Sequence, residues 1–143
     1  MIFLDANVLL RSIADSDDPV VHRMSRQAGA LLTMADRGEV ELTTSDAVLA
    51  EVDFILTAKS HYRLPVSEAA ASLAAVVSSR GLRLSDKRAI LRALDLWEAQ
   101  PRLGFVDTLT AAYAQLPGMQ LATFDTDFDA MPNISRWMFP DPD

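Results

Sequence analysis

The first seven residues, Met1-Ile-Phe-Leu-Asp-Ala-Asn7, constrain the fold of this chain more than any other stretch. Ile2, Phe3 and Leu4 form a short continuous apolar run, the pattern of a strand buried on both faces. Val8-Leu9-Leu10 then turns helical, so Asp5 and Asn7 stand where the strand ends and the helix starts. In an open α/β sheet, ligands sit outside the carboxyl ends of the strands. Asp5 taken alone would serve as a helix cap. Acids that recur downstream in similar positions give it a second meaning.

Beyond Asn7 the pattern alternates between helical stripes and short extended runs. A helix is expected from Pro19 to a stop at Gly38, then a strand over residues 40–43. Ser45 is placed to cap a helix through about Lys59, with Val48, Val52, Ile55 and Leu56 as its apolar stripe. On that stripe Glu51 falls on or beside the buried face, where a carboxylate needs a partner or a metal, and Asp53 points to solvent. Pro65 opens an alanine-rich helix, Leu82 to Leu84 reads as a connector, and Ser85 caps a helix that buries Trp97. Gly104 precedes a further helix with Asp107 in its first turn, where the helix dipole favours an acid. The small residues Thr110, Ala111 and Ala114 on the same face let that helix approach a neighbour and tuck Asp107 inward. Residues 120–124 read as the next strand, with Asp125-Thr-Asp127 at its carboxyl end, and residues 134–139 as a final edge strand.

At 143 residues the chain is expected to form a single domain over residues 1–143. No apolar run has the length of a membrane span, and the N-terminus lacks the basic region and cleavage site of a signal peptide, so the expected address is cytoplasmic. Without cysteine there is no disulfide, thiolate metal site or thiol nucleophile. A net charge of −7 argues against a non-specific nucleic-acid coat, yet leaves room for an enzyme that holds nucleic acid through a metal ion and a few arginines. Arg80, Arg83, Lys87, Arg88 and Arg92 concentrate the positive charge, and with Asp86 and Asp95 interspersed they read as a solvated face. His22 and His61 are isolated and read as surface residues.

Strands alternating with helices imply a parallel sheet whose right-handed crossovers gather strand ends on one edge. Asp5, Glu51, Asp107 and Asp125 would then meet there. Four carboxylates in one pocket repel one another, so the pocket needs a cation to stay ionised. Oxygen ligands favour Mg²⁺ or Mn²⁺ over zinc. Such a site can activate water and neutralise charge on a phosphoryl group, which implies a phosphodiester substrate.

These residues resemble the PIN-domain family, most closely the VapC-type toxins of bacterial toxin–antitoxin pairs. The resemblance lies in Phe3-Leu4-Asp5-Ala6-Asn7-Val8-Leu9, Ser45 with Leu49-Ala50-Glu51-Val52, Phe105-Val106-Asp107 followed by Ala111 to Ala114, and Thr123-Phe124-Asp125-Thr126-Asp127-Phe128. The pieces occur in family order and span nearly the whole chain. The resemblance implies an α/β fold with a central parallel sheet flanked by helices on both faces, and a Mg²⁺- or Mn²⁺-dependent endoribonuclease. It also implies frequent homodimerisation, and inhibition by an antitoxin protein lying across the acidic site. By the same resemblance Asp5 and Asp107 would be principal metal ligands. Glu51 would hold metal or orient the attacking water, and Asp125 would complete the set. Asn7 and Ser45 would fix carboxylate orientation. Asp127 stands as a supporting residue or as the fourth acid in place of Asp125. Ala6 departs from the family, which commonly has a hydroxyl residue there.

Two other readings compete. Aspartyl-phosphate chemistry needs a lysine near the pocket, and a haloacid-dehalogenase-like enzyme needs a second acid where this chain has Asn7; Lys59 and Lys87 lie away from the expected strand ends. A PIN-like scaffold without catalysis is the non-enzymatic alternative.

Overall fold

Leu4 is the residue around which the first strand closes: it is fully buried, and the Thr44 hydroxyl, itself buried, donates to its carbonyl at 3.0 Å. The computed structural model describes residues 1–142. Three short strands, β1 (Ile2–Phe3), β2 (Leu42–Thr43) and β3 (Leu82–Arg83), pair in parallel in that order. The register aligns Ile2 with Leu42 and Leu42 with Leu82, so all three strands end at one common edge. Six helices complete the α/β architecture: α1 (Ala6–Ile13), α2 (Pro19–Asp36), α3 (Asp46–Thr57), α4 (Val66–Val77), α5 (Lys87–Ala99) and α6 (Phe105–Ala114).

Two helices begin on side-chain caps, whereas the cap expected of Ser85 is not made: Asp86 stands at the N-cap position of α5, without a capping hydrogen bond. Asp18 accepts from the Val20 and Val21 amides ahead of Pro19 at the head of α2, and the Ser45 hydroxyl accepts from the Val48 amide at the head of α3. Gly38, at φ +77°, turns the chain out of α2 in a conformation that glycine adopts without strain. Gly81 serves close approach: a Cβ there would lie 2.3 Å from that of Ala35, so only glycine lets β3 begin against the end of α2. α1 packs on α2 and α3, α3 also meets α4 and α6, and α5 lies between α4 and α6. One buried cluster runs from Leu4 to Met131 and includes Trp97, whose ring meets Phe105 edge-on at 5.8 Å.

Four further expectations need correction. β1, one of the sheet's two outer strands, is not buried on both faces: Ile2 is 41% and Phe3 60% exposed. Residues 82–84 are no mere connector, since β3 lies there; two residues are too few to show a period. Residues 120–124 and 134–139 do not form strands. They meet in one parallel bridge between Leu121 and Arg136, and Phe124 stacks on Phe139 at 4.4 Å outside the core. Finally, the buried stripe of α3 runs through Leu49, Val52, Asp53 and Leu56, so Asp53 is buried and Glu51 exposed, the reverse of the expectation. Leu49 and Leu56 outcompete Val48 and Ile55 for the core, and that rotation carries Asp53 inward at i+4 from Leu49.

Candidate functional site

The carboxyl edge of the sheet is where the candidate residues start. Asp5 follows β1 and occupies the N-cap position of α1, but its side chain makes no capping hydrogen bond. The Thr44 hydroxyl, by holding the Leu4 carbonyl, fixes the backbone that presents it. Asp107 lies half-buried in the first turn of α6, and Glu51 is exposed on α3, the helix that touches both α1 and α6. Among the described residues, the side chains of Asp5, Glu51 and Asp107 have no hydrogen-bond or ion-pair partner.

The fourth acid behaves differently. Asp125 stands ahead of a 3₁₀ turn over Thr126–Ala130, and its Oδ1 accepts from the Asp127 amide at 2.8 Å. Arg136 clamps this turn: it donates to the Asp125 carbonyl and pairs with Asp129 at 3.1 Å. Asp127 and Asp125 are both exposed. Ser45 spends its hydroxyl on capping α3. Asn7 is exposed and lines, with Arg11 and Gln27, a cavity of about 550 Å³ between α1 and α2. Among the described residues, neither Asn7 nor Ser45 bonds to a carboxylate.

Sequence reasoning missed a second group on this edge. Asp46 follows β2 as the first residue of α3, and Asp86 follows β3 just ahead of α5, each in a Ser-Asp pair. The Tyr113 hydroxyl on α6 donates to Asp46 Oδ2 at 2.6 Å. Burial, then the bond to Asp46 and the charges of Asp46 and Asp86, hold this phenol protonated well above the usual range. Tyr113 lies among alanines, 67 residues from Asp46, and no local pattern marks such a pair. Asp53 is a further group that the helical stripe conceals. It is 8% exposed, its Oδ1 has no partner, and burial pushes its carboxyl up to about 7.

A hard divalent cation suits the donor chemistry, since carboxylates without partners stand on three elements in contact and the chain has no thiolate. Among the described residues no three ligating side chains form a ready cluster. Mg²⁺ does not require one, because it keeps several waters and takes one or two carboxylates plus substrate phosphates. Among those residues, too, no helix is long and apolar enough to cross a membrane. No curated protein matches the chain. A family model described as the PIN domain matches residues 2–134.

Proposed function

The chain belongs to the PIN-domain family, and from that membership we propose that it is a Mg²⁺- or Mn²⁺-dependent endoribonuclease, the toxin of a type II toxin–antitoxin pair. PIN domains are in general metal-dependent nucleases, and the parallel sheet with six helices fits that fold. The finer reading rests on one observation above all: Asp5 sits at a helix start without capping it, and its carboxylate has no partner within the described chain. A side chain that makes no bond to its own helix is open to a cation or a substrate.

Asp5 and Asp107 would hold the metal, with Asp125 completing the set and Asp127 its alternative. Glu51, exposed on α3, would orient the attacking water. When bound, the ion would lower the charge on the phosphodiester and ease loss of a water proton. Thr44 acts through the backbone by holding the Leu4 carbonyl beside Asp5. Asn7 and Ser45 belong to this reading as residues that would orient carboxylates. The rest of the reading is a single domain with helices on both faces of the sheet, a cytoplasmic address, homodimerisation, and an antitoxin segment across the acidic edge.

A PIN-like scaffold without catalysis is the second reading, favoured by the lack of a three-ligand cluster among the described residues. One assay separates the two. Purified wild type should cut RNA in Mg²⁺ or Mn²⁺ and stop on chelation, and Asp107→Asn should lose at least ~100-fold, more than loss of a supporting residue around a metal ligand costs. Cleavage by Asp107→Asn at the wild-type rate would remove Asp107 from the site. No cleavage by the wild type under any divalent ion would leave the scaffold.

A further inference from the structure

The chain carries a net charge of −7, yet a cavity beside the sheet's third strand gathers cations. A space of about 810 Å³ lies between the start of α5 and the end of α6, lined by Ser85, Lys87, Arg88, Arg92, Gln115 and Asn133 among others. Three cationic residues line it with the single acid Asp86, which also stands close enough for its charge to act on Tyr113. Lys87 is turned away, since its Nζ donates to the Ser79 and Leu82 carbonyls at 2.7 and 3.0 Å. The two arginines remain. Arg88 is exposed, with no partner among the described residues. Arg92 donates through Nε to Gln115 Oε1 at 3.2 Å, and Gln115 is anchored in turn to the Pro132 carbonyl at 2.9 Å. That chain of bonds orients the Arg92 guanidinium and leaves its two terminal nitrogens without partners among the described residues.

Ser85 follows β3 as Asp5 follows β1, in a register that ends all three strands together. Ser85, at one end of the cavity lining, therefore stands on the same sheet edge as Asp5, two strand spacings or about 10 Å away, and Arg88 and Arg92 follow it on α5. A few nucleotides of single-stranded RNA span that distance. Arginine is the side chain suited to phosphate, because its planar fork donates two parallel hydrogen bonds to one phosphate group.

We propose that this cavity is a subsite for a backbone phosphate of single-stranded RNA flanking the cleaved bond, gripped by Arg88 and Arg92, with Gln115 positioning Arg92. This inference rests on the ribonuclease reading above and deepens it. Two arginines on phosphate add affinity without reading sequence, and the affinity falls with salt.

The test measures anisotropy of a short fluorescein-labelled single-stranded RNA in chelator, where nothing is cut, across a range of salt. The proteins compared are wild type, Asp107→Asn, the double variant Arg88→Ala with Arg92→Ala, and the double lysine variant, each checked for an unchanged thermal midpoint. The alanine pair should bind more weakly, with a salt slope shallower by about 0.7 for each phosphate no longer gripped. The lysine pair should restore the slope, and in Mg²⁺ the alanine pair should raise KM with kcat retained. An unchanged affinity and slope in the alanine pair overturns the subsite, even where the wild type cuts RNA and Asp107→Asn does not. An arginine-dependent slope in a wild type that never cuts supports the anion site and removes the nuclease. Binding of a labelled acidic peptide in place of RNA overturns the proposal and assigns the cavity to a protein partner.

Discussion

Two parts of the sheet's carboxyl edge carry the same residue type in opposite states. Beside β2 and β3, Asp46 is tied to the Tyr113 hydroxyl and Asp86 adds its charge to the same phenol. Beside β1, Asp5 has no partner among the described residues, although it stands where a cap would form. The first arrangement fastens α3 to α6 and so contributes to the fold. In the second, the side chain makes no bond among the described residues that holds the fold together. The difference separates acids that hold the structure from acids left available for a ligand.

Exchanging one acid on each side is the sharpest way to break that comparison. Asp5→Asn should lower RNA cleavage by at least ~100-fold, as removal of a ligand costs more than removal of its support. Its thermal midpoint should stay level or rise, because the side chain caps nothing. A fall in stability with cleavage intact would place Asp5 with Asp46 and erase the distinction.

Asp53 sharpens the comparison from another direction, being without a partner but buried. Burial pushes its carboxyl from 3.8 to about 7. The folded chain therefore holds this proton to higher pH than the unfolded chain does. Its favourable contribution is fully present below the unfolded value and is lost as pH rises through about 7. The loss amounts to about 4 kcal/mol at most. Urea unfolding in chelator should find the wild type less stable at about pH 8 than at about pH 5, and Asp53→Asn should flatten that slope. An Asp53→Asn chain with the wild-type pH profile would mean that water or a shifted backbone already compensates the group. Asp5, by contrast, is exposed, so solvent carries the cost that Asp53 cannot shed.

Much of the frame is legible in the sequence because it depends on local signals. Leu4 reads as buried, Ser45 as a cap and Trp97 as core, and each stands so. The departures arise where burial depends on distant partners. Ile2 and Phe3 look like interior strand, but nothing among the described residues pairs with the outer edge of β1. Residues 120–124 have strand composition, yet Leu121 bonds only near Arg136, fifteen places on at the one isolated bridge. On α3 the stripe can be drawn through Val48 and Ile55 or through Leu49 and Leu56. A small rotation of the helix exchanges Glu51 for Asp53. Among the candidate residues, the placements of Asp5 and Asp107, at a strand end and in a first helical turn, are legible from the sequence. Thr44 and Arg136 act through backbone carbonyls far along the chain, and no spacing rule marks them.

Tyr113→Phe gives the smallest expected effect and tests the tied side directly. The substitution keeps the ring and removes the hydroxyl that donates to Asp46 at 2.6 Å. A hydrogen bond to a charged group contributes about 1.5–3 kcal/mol, and partial exposure of Tyr113 moves the expectation to the low end. Asp46 then faces Asp86 with less to hold it, although the N-terminal dipole of α3 still favours a carboxylate there. Stability should therefore fall by about 1–2 kcal/mol in urea, while RNA cleavage at saturating Mg²⁺ stays within a few-fold of wild type. The two readouts move in opposite order from those of Asp5→Asn, and that inversion is the signature of a divided edge. A Tyr113→Phe protein that keeps its stability but loses cleavage would instead join Asp46 and Asp86 to the acids of the site, making the whole sheet edge one functional surface.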